Sequence, residues 1–312
     1  MRYRQLGNSD LNVSVIGFGG WAAGKLFWGE DVVDADSIAA VHRALDLGIN
    51  LFDTAPVYGE GHSERILAQA LGPRRQEVYL ATKCGRLRSP DGKLYNDSRP
   101  EAIRAECEES LQRLQTDVID LYQVHWPDES VAFEDTMAAL LDLQREGKIR
   151  YIGVSNFNTD QMERMRNVGE LTSLQPPYSL LARGIEAEIL PYCRQHNLGV
   201  LAYSPMRRGL LTGKYRPGAT FPATDSRSQD PMFQGERLAR IVVAVDEMAS
   251  MAAAHGKTPG QMAIAWVLSQ PGVTAALCGA KRPHHIEESA GAAEWELDAD
   301  TCARLSALFE GL

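Results

Sequence analysis

The sequence predicts an α/β fold, namely a (β/α)8 TIM barrel with an N-terminal β-hairpin and two extra helices. Eight short apolar runs alternate with helical patterns along the 312 residues, and this alternation is typical of a parallel sheet. No G-x-G-x-x-G pattern follows an early strand, which argues against the alternative of an open doubly wound sheet. No linker divides the chain, so we expect a single domain over residues 1–312.

The first predicted element is a β-hairpin, formed by residues 2–6 and 12–16 around a turn that contains glycine, asparagine and aspartate. Eight runs rich in apolar and β-branched residues then predict the barrel strands. These runs span residues 16–19, 50–53, 78–83, 118–124, 149–154, 172–175, 199–203 and 273–277.

Helical patterns fill the intervals between the strands. In the first of them Ile38, Val41 and Leu45 share one face, and Gly48 suits a left-handed cap at the C-terminal end. The predicted helices span residues 36–47, 63–71, 100–114, 133–145, 159–167, 186–195, 259–268 and 284–292, with extra helices at 236–254 and 299–310. Residues 216–233 are rich in proline, serine and aspartate, which predicts a long mobile loop.

Composition and charge limit the possible partners. A net charge of -9 gives a surface that repels polyphosphate backbones, so we expect no nucleic-acid partner. No apolar run approaches the roughly 20 residues needed to cross a bilayer, and residues 1–5 lack the apolar core of a signal peptide. The five cysteines are scattered without paired spacing, which argues against disulfides or a metal site and favours a reducing cytoplasm.

Four side chains with acid–base chemistry follow three consecutive predicted strands. Asp53 ends the second strand with Tyr58 five residues later, Lys83 ends the third strand, and His125 ends the fourth. The active site of a parallel barrel lies at the carboxyl ends of its strands, so these side chains converge on one mouth. Taken singly, each also has a structural interpretation: a capping aspartate, a loop tyrosine, a solvated lysine and a packed histidine.

Together the four residues suit the reduction of a carbonyl group, in which a proton reaches oxygen as hydride reaches carbon. Tyr58 is a weak acid, and a neighbouring ammonium from Lys83 lowers the pKa of a phenol. The Asp53 carboxylate would hold that ammonium, and a neutral His125 would orient the carbonyl oxygen. The sequence has no metal-ligand cluster, so the hydride must come from an organic cofactor. Alternatively, Lys83 could form a Schiff base, which is lyase chemistry.

Several spaced motifs carry a resemblance that covers essentially the full chain. They are GINLFDTA at 48–55, ATK at 81–83, LYQVHWP at 121–127, GKIRYIGVSNF at 147–157 and AYSP at 202–205. In this order they resemble the aldo-keto reductases, and residues 278–283 resemble the bacterial branch that includes inositol-operon and general-stress reductases. The resemblance implies that Tyr58 donates the proton, that Lys83 and Asp53 tune it, and that His125 orients the carbonyl group.

The resemblance also implies a nicotinamide cofactor that binds in extended form without a Rossmann fold. Ser155, Asn156 and Gln175 would hold the carboxamide, and Tyr203 would stack on the nicotinamide ring. Ser155 and Asn156 also suit the N-cap of the following helix, a role that is compatible with the first. Tyr203 also suits a core aromatic.

Further cofactor contacts are implied on either side of the nicotinamide. Gly20 and Trp21 would border the nicotinamide end. The pyrophosphate contacts, through side chains or backbone, would be Ser204, Met206, Arg208 and Leu210.

The adenosine end departs from the pattern of many relatives, which carry a lysine–serine pair and an arginine six residues after the lysine. The aligned positions here are Gly279, Ala280 and His285. Lys281 and Arg282 would supply the charge instead, because arginine grips a 2′-phosphate and the N-terminus of the next helix favours an anion. The adenine contacts would be Glu288 and Ser289. We therefore expect NADPH (NADP+) rather than NADH.

The predicted substrate pocket is aromatic, and its walls would be Trp21, Phe27, Trp28, Tyr58 and Trp126. Such walls suit apolar or aromatic aldehydes, while Arg86 and Arg88 would admit acidic ones unless they are simply solvated. The sequence thus predicts a cytoplasmic, NADPH-dependent carbonyl reductase. The alternatives are a cofactor-sensing binding subunit like the potassium-channel β subunits, which share this fold and the four residues, and a Schiff-base lyase that uses Lys83. The oligomeric partner is not predicted.

Overall fold

A computed structural model of the chain describes residues 1–26, 28 and 32–312. Phe27, one of the predicted pocket walls, lies outside the described residues. The described strands are β1 (Tyr3–Gln5), β2 (Asn12–Ser14), β3 (Ile16–Gly19), β4 (Leu51–Asp53), β5 (Tyr79–Cys84), β6 (Arg86–Arg88), β7 (Leu94–Asn96), β8 (Ile119–Val124), β9 (Ile149–Ser155), β10 (Ser173–Gln175), β11 (Gly199–Tyr203) and β12 (Val273–Gly279).

Eight of these strands form a closed parallel barrel in the order β3, β4, β5, β8, β9, β10, β11 and β12, and β12 pairs with β3. The predicted (β/α)8 barrel is therefore confirmed. The register places Asp53 beside Ala81 on the neighbouring strand, and it places Lys83 beside Gln123. The predicted acid–base residues thus leave adjacent strands at the same end of the barrel.

Helices surround the barrel at nearly the predicted positions. They are α1 (Asp34–Asp46), α2 (His62–Leu71), α3 (Pro100–Leu114), α4 (Phe133–Arg145), α5 (Thr159–Arg166), α6 (Ile189–Gln195), α7 (Gly235–Ala253), α8 (Pro259–Leu268), α9 (Pro283–Ala290) and α10 (Ala299–Leu308). The two extra helices are α7 and α10. No helix in the described part of the chain is long and apolar enough to cross a bilayer.

The N-terminal hairpin closes one end of the barrel. Leu6, Leu11 and Val13 are fully buried and pack in one cluster with barrel side chains such as Leu51 and Leu201. The turn fits tightly, because Gly7 has φ +54° and an added Cβ would lie 2.3 Å from a backbone carbonyl oxygen. Since the amino ends of the strands are covered, a ligand can reach the barrel interior only from their carboxyl ends.

Two connections at the carboxyl ends have more structure than the sequence predicts. Residues 84–98, which lie between a predicted strand and the next predicted helix, contain the antiparallel hairpin of β6 and β7. Its turn has Gly92 at φ +84° and a hydrogen bond from Ser89 N to Lys93 O. Residues 216–233 do form a loop, and its Phe221 and Phe233 rings pack against Tyr215 at 5.3 and 5.5 Å.

Candidate active site

Asp53 and Lys83 form a buried ion pair at the carboxyl ends of β4 and β5. Lys83 Nζ donates to Asp53 Oδ2 over 2.6 Å and to the carbonyl oxygen of Thr54 over 2.9 Å. The two side chains are only 4% and 0% exposed, respectively. Charges so far from water must be paired and hydrogen-bonded. Burial lowers the pKa of Lys83, and the Asp53 carboxylate offsets part of this effect.

Two buried glutamines donate to the other oxygen of Asp53. Gln123 Nε2 and Gln175 Nε2 lie 3.2 and 2.8 Å from Asp53 Oδ1, and Gln175 Nε2 is also 3.2 Å from Gln123 Oε1. Sequence reasoning missed Gln123, although it precedes His125 by two residues and therefore shares its face of the chain. Gln175, expected to hold a carboxamide, has its amide nitrogen engaged here, which leaves its amide oxygen for that contact.

Tyr58 reaches the ion pair from the loop after β4. Its hydroxyl oxygen is 3.4 Å from Lys83 Nζ. Burial, and then the Asp53 carboxylate, raise the pKa of Tyr58 well above its usual value. This direction is opposite to the lowering expected from the ammonium, because burial disfavours the charged phenolate and the Asp53 carboxylate repels it. The phenol therefore keeps its proton at neutral pH.

His125 follows β8 and lies beside Tyr58, with ring centroids 5.7 Å apart in an edge-on arrangement. Burial lowers the pKa of the imidazole well below its usual range, and the positive charges of Lys83 and Arg86 lower it further. The ring is therefore neutral at pH 7. A neutral imidazole can present an N–H donor, which is the form that the predicted role requires.

A chain of hydrogen bonds joins the ends of β9, β10 and β11. Ser155 Oγ donates to the carbonyl oxygen of Gln175 over 2.7 Å, and Asn156 Nδ2 donates to that of His125 over 3.0 Å. Tyr203 OH donates to Asn156 Oδ1 over 2.9 Å. Asn156 holds a left-handed φ of +64°, which asparagine tolerates. The structure thus brings the four residues predicted for the nicotinamide side into one group.

Neither Ser155 nor Asn156 caps the next helix. Asn158 is the N-cap of α5: its side chain accepts from Gln161 N, and the Gln161 side chain accepts from Asn158 N, each over 2.9 Å. This reciprocal arrangement is a capping box. The N-cap interpretation of Ser155 and Asn156 is therefore wrong.

Gly20 and Trp21 follow β3 directly, at the edge of the ion pair. Gly20 is buried so tightly that an added Cβ would lie 2.9 Å from the carbonyl oxygen of Asp53 and 2.7 Å from Ser63 Oγ. The Trp21 ring lies 6.4 Å from the Tyr58 ring. This places Trp21 at the same end of the barrel as the acid–base residues.

Three further predicted pocket walls are aromatic residues of the described chain. Trp28 packs edge-on against Trp21 with a centroid distance of 5.0 Å. Trp126 directly follows His125 and is 39% exposed, unusually high for a tryptophan. Tyr58 stands between Trp21 and His125, with ring contacts to both.

The segment after β11 has an uncommon backbone. Ser204, Arg207 and Arg208, none of them glycine, have φ of +56°, +47° and +54°. Such residues cost about 1–3 kcal/mol each and cluster at ligand-binding segments. Arg208 Nη1 donates to the carbonyl oxygen of Ser226 over 3.1 Å, and its guanidinium pairs with Asp230.

The other two residues predicted to contact the pyrophosphate, Met206 and Leu210, are buried to different degrees. Leu210 is 2% exposed, so its side chain packs in the core. Met206 is partly buried against the same core. Both therefore position the segment that carries Arg208.

The loop after β11 crosses to the segment after β3. The Arg227 guanidinium lies 5.6 Å from the Trp28 ring centroid, and Lys281 Nζ lies 5.7 Å from it and donates to the Trp28 carbonyl oxygen over 2.7 Å. Trp28 Nε1 is buried, and no described residue accepts its hydrogen bond. A buried donor without an acceptor, beside two cations, fits an anionic group such as a pyrophosphate.

The residues predicted for the adenosine phosphate lie around the start of α9. Arg282 is 46% exposed, and its Nε lies 3.2 Å from Asp36 Oδ2 on α1. His285 Nδ1 accepts from Lys281 N over 3.3 Å. Burial, aided by neighbouring cationic groups, lowers the pKa of His285 to about 4, so the ring carries no charge at neutral pH. Gly279 is the exposed last residue of β12.

The predicted adenine contacts differ from each other. Glu288 Oε1 accepts from Thr258 Oγ1 over 3.1 Å, which holds its carboxylate at the start of α8. Ser289 is 1% exposed, and its hydroxyl donates to the carbonyl oxygen of His285 over 3.0 Å. Its side chain therefore packs inside the protein, and the structure does not support its predicted contact with adenine.

Comparison with known proteins gives one consistent family. The sequence profile described as "Aldo/keto reductase family" matches residues 15–310. The aldo-keto reductase YhdN of Bacillus subtilis (strain 168) is 40% identical, over 99% of this chain and 94% of its own length. A protein of Escherichia coli (strain K12) named NADH-specific methylglyoxal reductase is 37% identical, over 96% of each chain.

A solved structure agrees with the barrel described above. The glycerol dehydrogenase AKR11B4 from Gluconobacter oxydans superposes with a TM-score of 0.91 at 40% sequence identity. The similarity covers 98% of this chain and 94% of that one. The likeness therefore includes the whole barrel and both extra helices.

Proposed function

The chain belongs to the aldo/keto reductase family, and from this premise we propose that it reduces aldehydes and ketones to alcohols with NADPH as the preferred cofactor. The observation that carries the proposal is the group of Asp53, Lys83, Tyr58 and His125 at the open end of the barrel. In it, a protonated phenol lies 3.4 Å from a buried ammonium and beside a neutral imidazole.

Tyr58 is the proposed proton donor. When bound, the nicotinamide supplies the hydride that the carbonyl carbon receives. As negative charge develops on the carbonyl oxygen, the Tyr58 hydroxyl transfers its proton to that oxygen. The Lys83 ammonium stabilises the resulting phenolate, and Asp53 keeps the ammonium protonated despite its burial. His125 orients the carbonyl oxygen through its N–H group.

The cofactor contacts fit a dinucleotide in extended form. Asn156 and Ser155 would bind the carboxamide, and Tyr203 would stack on the ring. Trp28 and Arg227 would flank the pyrophosphate. Trp28 would donate through its buried Nε1–H group, and Arg227 would supply positive charge.

The preference for NADPH rests on Arg282. Its guanidinium is half exposed at the start of α9, and one carboxylate, Asp36, lies within ion-pair distance. A 2′-phosphate carries about two negative charges and would compete well with a single exposed carboxylate. One relative, 37% identical, is named NADH-specific, so we base the proposed preference for NADPH on this local charge and not on membership of the family.

The Schiff-base lyase alternative fits the structure less well. Lys83 Nζ is fully buried and already donates to Asp53 and Thr54, so no approach is open for a substrate carbonyl carbon. A cofactor-sensing subunit would share the four residues, so reduction of aldehydes is the measurement that separates it from an enzyme. All five cysteines are unpaired thiols, which supports our placing of the enzyme in the reducing cytoplasm.

The proposal is tested on cofactor-stripped protein. We expect NADPH to quench the intrinsic fluorescence, because Trp21 and Tyr203 lie at the proposed nicotinamide site. A panel of aldehydes should then consume NADPH. Tyr58→Phe should lower turnover by about 10²–10⁴-fold, the range for one general acid, while the quenching curve stays the same. Unchanged turnover in this variant would overturn the mechanism, and lack of binding by either cofactor would overturn the function.

A further inference from the structure

The guanidinium of Arg86 is fixed at the open end of the barrel, next to the proposed substrate pocket. Arg86 begins β6, three residues after Lys83, and its guanidinium carbon lies 5.8 Å from the Trp126 ring centroid. Its Nη1 donates to Asn96 Oδ1 over 2.5 Å, and Asn96 Nδ2 donates to the Pro127 carbonyl oxygen over 2.9 Å. The guanidinium is therefore positioned by the β6–β7 hairpin and by the segment that follows His125.

No carboxylate of the described chain neutralises Arg86. Two acidic side chains of the neighbouring segments are engaged elsewhere: Asp97 pairs with Arg99 at 2.7 Å, and Asp128 Oδ2 accepts from Ser98 N over 3.0 Å. Within the described residues, Arg86 makes its one hydrogen bond to the neutral amide of Asn96. Its remaining N–H groups have no acceptor in the part of the chain that the structure describes.

Three other arginines at the same end of the barrel have counterions. Arg208 pairs with Asp230, Arg227 with Asp225 and Arg282 with Asp36. Burial lowers the pKa of Arg86 with no carboxylate to offset it, and the charge of Arg86 is felt at His125, whose pKa it lowers. An uncompensated cation that acts on the proposed carbonyl-orienting residue is placed to act on a substrate too.

We propose that Arg86 binds a carboxylate of the substrate, so that the preferred carbonyl compounds are oxo acids rather than neutral aldehydes. A guanidinium edge presents parallel N–H donors that match a carboxylate, and a single cation suits one negative charge better than a phosphate dianion. The Trp126 face would cover the carbon chain between the carbonyl and the carboxylate. This inference rests on the proposed reductase function and names its substrate class.

The test compares acids with their neutral esters on the whole enzyme with NADPH. The pairs are 4-oxobutanoate with methyl 4-oxobutanoate, and 4-formylbenzoate with methyl 4-formylbenzoate. We expect wild-type kcat/KM to favour the acid of at least one pair by roughly ten- to hundred-fold, the range for one charge-assisted hydrogen bond. Arg86→Gln should lower kcat/KM for the acid far more than for its ester and so remove this preference, while Arg86→Lys should keep part of it.

Lys93→Gln is the matched control, because it removes the same charge from the tip of the same hairpin. Lys93 is 83% exposed and pairs with Asp91. Its substitution should therefore leave kcat/KM unchanged for both the acids and the esters. Equal rates for acids and esters in the wild type, or an equal loss for both in Arg86→Gln, would overturn the inference while the reductase function stands. Failure to reduce any aldehyde would overturn the function and the inference with it.

Discussion

Gln123 Nε2 lies 3.2 Å from Asp53 Oδ1, the same carboxylate oxygen that accepts from Gln175 at 2.8 Å. Asp53 Oδ2 binds Lys83, so each oxygen of this buried carboxylate has its own partners. The carboxylate therefore has little freedom to rotate away from the lysine. Gln175 also belongs to the group proposed to hold the nicotinamide, so the ion pair and the cofactor site share a side chain.

Gln123→Met should lower kcat and destabilise the fold. The thioether keeps the volume but removes the donor to Asp53 and the acceptor for Gln175, and loss of a buried partner costs about 1–3 kcal/mol. We expect roughly a ten-fold fall in kcat, since Lys83 would be held less firmly. Urea unfolding and steady-state kinetics measure the two effects. Gln112→Met, on an exposed position of α3, is the control and should change neither. Normal kcat in Gln123→Met would show that Asp53 needs no such support.

The barrel could be predicted because its strands are buried on both faces and therefore form continuous apolar runs. The β6–β7 hairpin could not be predicted in the same way, since its strands have three residues each and none of these residues is fully buried. The alternation of polar and apolar residues in Arg86-Leu87-Arg88 was a weak sequence signal for this hairpin. Burial of single side chains was also hidden: nothing in the sequence around Ser289 shows that its helix turns this residue inward.

Some features of the site did have a signal in the sequence. Gln123 is a polar residue two positions before His125 on a predicted strand, and an inward polar side chain requires partners. Asn158, followed by Gln161 three residues later, has the pattern of a capping box. This pattern places the N-cap at Asn158 and not at Ser155 or Asn156. The raised pKa of Tyr58 had no such signal, because it depends first on how deeply the fold buries the phenol and then on the nearby Asp53 carboxylate.

The Asp53–Lys83 pair should show strong coupling in a double-mutant cycle. Lys83→Met leaves a buried carboxylate without its cation, which should lower the free energy of unfolding by about 3–5 kcal/mol. Asp53→Asn combined with Lys83→Met removes both charges and should recover most of that loss, while turnover stays abolished. Chemical denaturation of the two single variants and the double variant gives the coupling energy. Additive losses would mean that the two charges are stabilised independently.

Arg282→Ala should weaken NADPH binding by roughly ten- to hundred-fold, because charge-assisted hydrogen bonds to the 2′-phosphate are lost. NADH lacks this phosphate, so its Kd should change by less than about three-fold on the same grounds. Fluorescence titration with each cofactor provides both constants. Arg43→Ala is a close control, since Arg43 also joins α1 to α9 through a half-exposed ion pair, with Glu287 at 2.6 Å. An equal effect of Arg282→Ala on both cofactors would show that this residue does not contact the phosphate.

Glu106 should make the protein less stable as the pH rises. Glu106 Oε1 accepts from Gly85 N over 2.9 Å, directly after β5, but Oε2 is buried and has no hydrogen-bond partner among the described residues. Burial raises the pKa of Glu106 from an ordinary value of 4.5 to about 7. Between these two values the folded protein binds a proton that the unfolded chain does not, so stability falls as the pH rises through about 7. The full loss is about 3 kcal/mol, at roughly 1.4 kcal/mol per pH unit.

Glu106→Gln should flatten this pH dependence, because the amide has no charge to bury and its oxygen can still accept from Gly85. The amide nitrogen takes the place of the unpartnered oxygen, so we expect a net gain of only about 1–2 kcal/mol over wild type at pH 8.5. At pH 5 the wild-type carboxyl is protonated, and the gain should vanish. Urea unfolding at both pH values measures the difference. Glu101→Gln, at a 69% exposed position on the same helix, should follow the wild-type profile. If Glu106→Gln followed it too, the carboxyl of Glu106 would not be the group that titrates.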